Sequence, residues 1–162
     1  MTDPAIRRLT PQDAAEWRDL RLEMLRLAPH AFSSRLVDWQ DRPLADFAAR
    51  LEQARAFVTG PQGQAGEGQA GAVALWEPAP DVPLTALILS VYTRPDARGQ
   101  GLAGALIRHI LQDAAQAGMT RATLRVMRDN PTARRLYERL GFQPDPATSD
   151  ARQIGMMRPL SA

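Results

Sequence analysis

Arg98-Gly99-Gln100-Gly101-Leu102-Ala103-Gly104 decides the reading of this chain. It follows a mostly apolar run, Leu84 to Thr93, and opens a stretch of helical periodicity from about Gly101 to Ala117. Glycine at three of these seven positions lets a backbone turn sharply and come close to a ligand. The first turn of the helix that follows has amides without intrahelical acceptors and lies at the positive end of the helix dipole. That combination attracts a pyrophosphate. The expected ligand is a small molecule that carries phosphate.

Working outward, Leu84 to Thr93 reads as a long strand buried on both faces. Beyond the loop, Leu102, Leu106 and Ile110 form one helical stripe, with Ala103, Ile107, Leu111 and Ala114 beside it and Gly118 as its C-cap. Ala122 to Met127 is a strand. Asn130 can cap a last helix with Pro131 in its first position, Ala133, Leu136, Tyr137 and Leu140 turned inward and Gly141 at its end. Gln153 to Leu160 is a final strand. Upstream, Ala5 to Leu9 is a short strand and Thr10-Pro11-Gln12-Asp13 a helix start. Trp17, Leu20, Met24 and Leu27 recur at helical spacing until Ala28-Pro29. A second helix spans Pro43 to about Ala54, with Leu44, Phe47, Ala48 and Leu51 on one face. Ala56 to Thr59 and Ala70 to Trp76 are strands on either side of a Gly- and Gln-rich loop, Gly60 to Gln69, for which no regular structure is expected. Strands before, between and after helices imply one α/β domain over 1–162, built around a single sheet.

Composition excludes much. With 162 residues, 44% hydrophobic and 23% charged, the chain suits one soluble core. No apolar run approaches the ~20 residues of a membrane span. The start, Met1-Thr2-Asp3-Pro4, lacks the features of a signal peptide, so the cytoplasm is the expected location and no membrane partner is expected. There is no cysteine, and the two histidines, His30 and His109, are far apart. Disulfides, thiolate sites and zinc-ligand spacings are therefore absent, and no metal is expected. Net charge is +2, and all 20 basic residues are arginine. The densest group is Arg121, Arg125, Arg128, Arg134, Arg135 and Arg139. It is either a solvated face or an attraction for an anionic cofactor. No aromatic residues interleave with it, so nucleic acid is not an expected partner.

Two nucleotide-binding alternatives fail on residues. A phosphate loop of the nucleotide-hydrolase type needs a lysine. Gly99, Gly101 and Gly104 fit dinucleotide-loop spacing, but Asp113, the acid downstream, falls inside a helix rather than at a strand end. Val91-Tyr92-Thr93-Arg94-Pro95-Asp96-Ala97-Arg98-Gly99-Gln100-Gly101-Leu102-Ala103 instead resembles the acyl-coenzyme A signature of the GCN5-related N-acetyltransferases, the GNAT family. Its core, Arg/Gln-x-x-Gly-x-Gly/Ala, is met by Arg98, Gly101 and Ala103. Asn130-Pro131-Thr132-Ala133-Arg134-Arg135-Leu136-Tyr137, followed by Gly141-Phe142, resembles the second half of that signature. Arg21-Leu22 through Pro29-His30-Ala31-Phe32 is similar, more loosely, to a subgroup of small acetyltransferases.

The resemblance implies a mixed, mostly antiparallel sheet of about six or seven strands flanked by about four helices, splayed into a V at the acyl-CoA site. It implies acetyl-CoA as co-substrate, an amine acceptor, and a monomer or homodimer. Amides from Gly99 through Gln100, Gly101, Leu102, Ala103 and Gly104, with Arg98 opening the loop, would hold the coenzyme pyrophosphate. Val91, Tyr92 and Thr93 would offer backbone to the pantetheine arm, and an N–H near Val91 would stabilise an oxyanion. Asn130 would bond the pantetheine or shape its slot. On local grounds it is equally a plain helix cap.

Tyr137 is the implied catalytic residue, a phenol that protonates the departing thiolate. Its place on an apolar stripe equally suits plain packing. The general base is open: the run Leu84 to Ser90 holds no acid, Glu77 is a candidate, Ser90 could position a water, and the amine could arrive already deprotonated. Phe32, Trp39 and Trp76 would line the acceptor cleft or simply pack. The rival to an enzyme is an acyl-CoA binding or sensing module on the same fold.

Overall fold

The computed structural model describes residues 5–60 and 70–161. The loop expected over Gly60–Gln69 lies, from 61 onward, outside them. Seven strands and four α-helices alternate: β1 (Ile6–Leu9), α1 (Ala14–Leu27), α2 (Leu44–Gln53), β2 (Arg55–Thr59), β3 (Ala72–Pro78), β4 (Thr85–Thr93), α3 (Leu102–Gln116), β5 (Arg121–Met127), α4 (Pro131–Arg139), β6 (Gln143–Pro144) and β7 (Gln153–Pro159). The strands form one sheet in the order β1-β2-β3-β4-β5-β7-β6. Only the central β4–β5 pair is parallel; the other neighbours run antiparallel.

Sequence signals explain the helix starts. Thr10 precedes a 3-10 turn, Pro11–Asp13, and the Asp13 carboxylate accepts the Thr10 amide at 2.8 Å, half of a capping box. The inward face of α1 then runs Trp17, Leu20, Arg21, Met24 and Leu25. Leu27, at the edge of that arc, is 52% exposed rather than buried. Leu44, the first residue of α2, is likewise exposed, while Phe47 and Leu51 are buried.

Two cores sandwich the sheet. On one face α3 and α4 cover Ala74, Trp76, Ile88, Leu124 and Val126. On the other, α1 and α2 cover Val58, Val73, Leu75 and Tyr92. The pin between α3 and the sheet is polar. Arg55 grips the Asp113 carboxylate through two hydrogen bonds of 2.6 and 2.7 Å, and the Trp76 indole N–H donates to it at 2.7 Å. Burial alone would raise the Asp113 carboxyl, but those donors hold it below its ordinary value.

One expectation is corrected here. Strand β4 is not buried on both faces: Leu87, Leu89, Ser90 and Val91 are only half-buried. Its β5 neighbour leaves it after three residues, so its second half has a strand along its β3 edge but not along the other.

Candidate functional site

The parting of β4 and β5 is the first element of the site. They pair only at Thr85, Ala86 and Leu87 against Arg121, Ala122 and Thr123. Strand β4 nevertheless continues to Thr93 and β5 to Met127. From Ile88 onward, β4 therefore has no strand on its β5 side among the described residues, and its main-chain groups there are not consumed by a ladder.

The second element is a bulge. Val73 pairs with Tyr92 and Leu75 with Leu89, so Ala74 alone spans Ser90 and Val91. Ser90 adopts φ 53°, a left-handed conformation rare for a residue with a side chain. The extra residue resets the alternation. Val91 packs toward the α3–α4 core, and Tyr92 turns to the α1 face. There the Tyr92 hydroxyl donates to Glu23 at 3.0 Å, and burial, with the Glu23 carboxylate, pushes it up to about 12. Of the Val91-Tyr92-Thr93 trio, Tyr92 can therefore reach a ligand on the other face only through its main chain.

The glycine loop leaves β4 directly. Ala97 is fully buried and anchors it, whereas Arg98, Gly99, Gln100 and Gly101 are exposed. Gly99 and Gly101 take φ 80° and 73°, and a Cβ at either would meet no atom within 4 Å. The loop thus borders open space. The first helical bond of α3 runs from the Ala105 amide to the Gly101 carbonyl at 3.1 Å, so the Leu102, Ala103 and Gly104 amides precede the ladder. The loop therefore combines open space with main-chain amides that have no helical acceptor, the chemistry that suits an anion. Gly104 differs from the other two: a Cβ there would touch Leu136 at 3.5 Å, so it serves the packing of α3 on α4.

Helix α4 follows β5 across the gap. The Asn130 side chain accepts the Ala133 amide at 3.2 Å, the cap role. Tyr137 is 7% exposed within the same core that packs Val91 and Leu102. Its hydroxyl bonds to no described residue. Burial pushes the phenol up to about 12 and keeps its proton in place at neutral pH.

A profile of the acetyltransferase (GNAT) family matches residues 16–142. The chain belongs to the GNAT acetyltransferase family. As a GNAT acyltransferase it shares its fold with an acetyltransferase of Streptococcus pneumoniae (17% identity, TM-score 0.75, covering 96% of this chain and 98% of that one). It also resembles the yncA protein of Salmonella typhimurium, solved with its cofactor acetyl-CoA (21%, TM-score 0.73, 99% and 96%). A third likeness is to a ribosomal-protein-alanine N-acetyltransferase of Brucella melitensis (17%, TM-score 0.73, 96% and 99%). No curated protein matches the chain in sequence. The GNAT fold here has no helix long and apolar enough to cross a membrane among the described residues.

The remaining candidates in this GNAT chain separate by partner. Glu77 is bound by Arg50 at 2.6 Å. Glu23 accepts both Tyr92 and Arg94. Trp76 points to the α3 core and donates to Asp113, so it does not line the α1 side. Phe32 meets Tyr92 edge-on at 6.4 Å, and Trp39 tilts against Phe47 at 5.4 Å. His30 is exposed, and His109 packs edge-on against Phe57 at 4.7 Å. An open cavity of about 1050 Å³ runs along α3, lined by residues including Ile6, Arg108, His109 and Leu160, but by none of the loop, bulge or Tyr137 residues. Sequence reasoning missed Arg21. It occupies a core position of the α1 stripe and donates to the Ser90 hydroxyl at 3.3 Å. The signal was available: a charged residue midway between Trp17 and Met24 on an apolar face.

Proposed function

We propose that this chain, as one unit over 1–162, transfers an acetyl group from acetyl-CoA to a primary amine of a small molecule or peptide. The transfer runs by direct attack, as a monomer or homodimer, in the cytoplasm where acetyl-CoA is made. The observation that carries this reading is the succession, along one stretch of chain, of the β4–β5 gap, the Ser90 bulge and the Gly99–Gly104 cradle. Bound there, acetyl-CoA would supply a thioester carbonyl open to an amine.

Each residue's task follows from its chemistry. The cradle amides and Arg98 hold the diphosphate. Main-chain groups of Val91, Tyr92 and Thr93 orient the pantetheine, and an N–H at the bulge faces the oxygen that becomes negative. Asn130 shapes the slot by fixing the start of α4. Tyr137 holds a proton for the leaving sulfur. Because Glu77 and Glu23 are occupied by cations, the amine binds in its neutral form and gives its proton to water.

Calorimetric titration with acetyl-CoA, followed by thiol release across an amine library, tests the reading. Binding and turnover are expected. Tight binding with no turnover on any amine would make the protein an acyl-CoA sensor instead.

A further inference from the structure

Arg21 is 7% exposed and has no carboxylate within ion-pair distance among the described residues. A buried guanidinium without a counter-ion is costly, and such a group is normally paired. Its NH1 donates to the Ser90 hydroxyl at 3.3 Å and approaches the Met24 sulfur at 3.6 Å. Both are weak acceptors for a full charge. Its other N–H groups are not among the buried side-chain atoms lacking partners, so they open onto accessible space. The indole of Trp39 lies 5.2 Å from the guanidinium carbon, and Arg42 covers the same ring at 4.3 Å. The neighbouring Arg50 is already neutralised by Glu77. Burial, and then Arg50, lower Arg21 to about 10, which leaves it charged at neutral pH.

The position gives this charge a use. Ser90 is the bulge residue of β4, beside Val91 and on the α1 side of the strand where Tyr92 also points. An amine that reaches a thioester held at the bulge passes the Arg21 fork. We propose that Arg21 binds the carboxylate of the acceptor, which makes the acceptor an amino-acid-like amine rather than a simple amine or a peptide N-terminus. This rests on the acetyl-transfer reading for its location. Planar guanidinium matches a carboxylate through two parallel N–H bonds.

The test compares L-amino acids with their α-amides and decarboxylated amines, in wild type, Arg21→Lys and Arg21→Gln. One readout is acetyl transfer. The other is quenching of tryptophan fluorescence by each compound without acetyl-CoA, since Trp39 adjoins Arg21. The expected result is an acid preference in kcat/KM of about ten- to a hundredfold in wild type. Arg21→Gln should lose it, Arg21→Lys should retain part, and acetyl-CoA affinity and Tm should hold in any variant that folds. Fluorescence should respond to acids and not to amides. Equal or better use of amides and simple amines would overturn the assignment while leaving acetyl transfer standing. So would a failure of every amino acid both to quench and to react. Failure of acetyl-CoA to bind, with acid-selective quenching intact, would overturn the transfer reading and leave the carboxylate site.

Discussion

Tyr137 meets Phe142 edge to face, with ring centroids 6.2 Å apart and planes at 66°. The contact fixes the phenol by its ring and leaves the hydroxyl without a structural duty. Tyr137→Phe therefore keeps the ring packing and removes only the hydroxyl, and with it the proton it could donate. It should lower kcat by about 10²-fold with KM for acetyl-CoA nearly unchanged. Steady-state kinetics with thiol detection measures both, and an unchanged kcat would reduce Tyr137 to a core residue.

The pH profile should report the amine rather than a carboxylate. Since the protein offers a paired Glu77 and a paired Glu23, kcat/KM should climb about tenfold per pH unit while the free acceptor is mostly protonated. Tyr137, raised to about 12, stays protonated throughout and adds no falling limb near its ordinary pKa of 10.0. A plateau at mildly acidic pH would reveal a base that the structure does not offer.

Gly101→Val and Gly118→Val make a matched pair. Both glycines have positive φ, 73° and 95°, and both face open space, so each valine strains the backbone by about 1–2 kcal/mol. They sit at opposite ends of α3. Only the valine at 101 fills the cradle. Titration should show acetyl-CoA binding abolished in Gly101→Val and intact in Gly118→Val. Equal affinity in the two would remove the cradle from the site.

Leu84 and Ser90 are the non-glycine residues with positive φ among those described, at 55° and 53°. Leu84 is 56% exposed in the turn before β4. Leu84→Gly trades about 1–2 kcal/mol of strain against about 0.5–1 kcal/mol of added chain entropy, so Tm should rise by roughly 2 °C with activity unaltered. Ser90→Gly relieves the same strain but removes the Arg21 acceptor. Its activity should fall although its stability does not. Thermal melts and rates on the same samples distinguish a turn from a site.

Asp113→Asn should flatten the acid limb of stability. The folded carboxyl is held below its unfolded value by Arg55 and Trp76, so its contribution is present above the unfolded pKa, about 3.9, and is lost as pH falls through the folded one. Urea melts from neutral to acidic pH should show a smaller loss for the variant than for wild type. Parallel curves would place the acid sensitivity elsewhere.

Legibility in the sequence followed the range of the forces. The cap at Asn130, the ends at Gly118 and Gly141 and the stripe of α3 depend on neighbours a turn away and were readable. So was the sharp turn of the glycine loop, where Gly99 and Gly101 take positive φ. The β4 bulge was not, because Ser90-Val91 reads as ordinary alternation until Ala74 is laid opposite. Trp76 and Trp39 looked alike as aromatics. The sheet sends one to Asp113 and leaves the other under two arginines. Arg21 was visible as a charge on an apolar face, yet its meaning depends on Ser90, a residue brought beside it only by the fold.

Three residue pairs, with the Thr120 amide donating to the Leu84 carbonyl at 2.8 Å just before them, join the two halves of the sheet across β4 and β5. A donor lying in that opening would act as a stitch, tying one half to the other through hydrogen bonds that neither half can supply. The melting point should then rise steadily as coenzyme is added beyond its dissociation constant. The opening proposed for the coenzyme is also where the sheet shares fewer paired residues than at any seam but β6–β7.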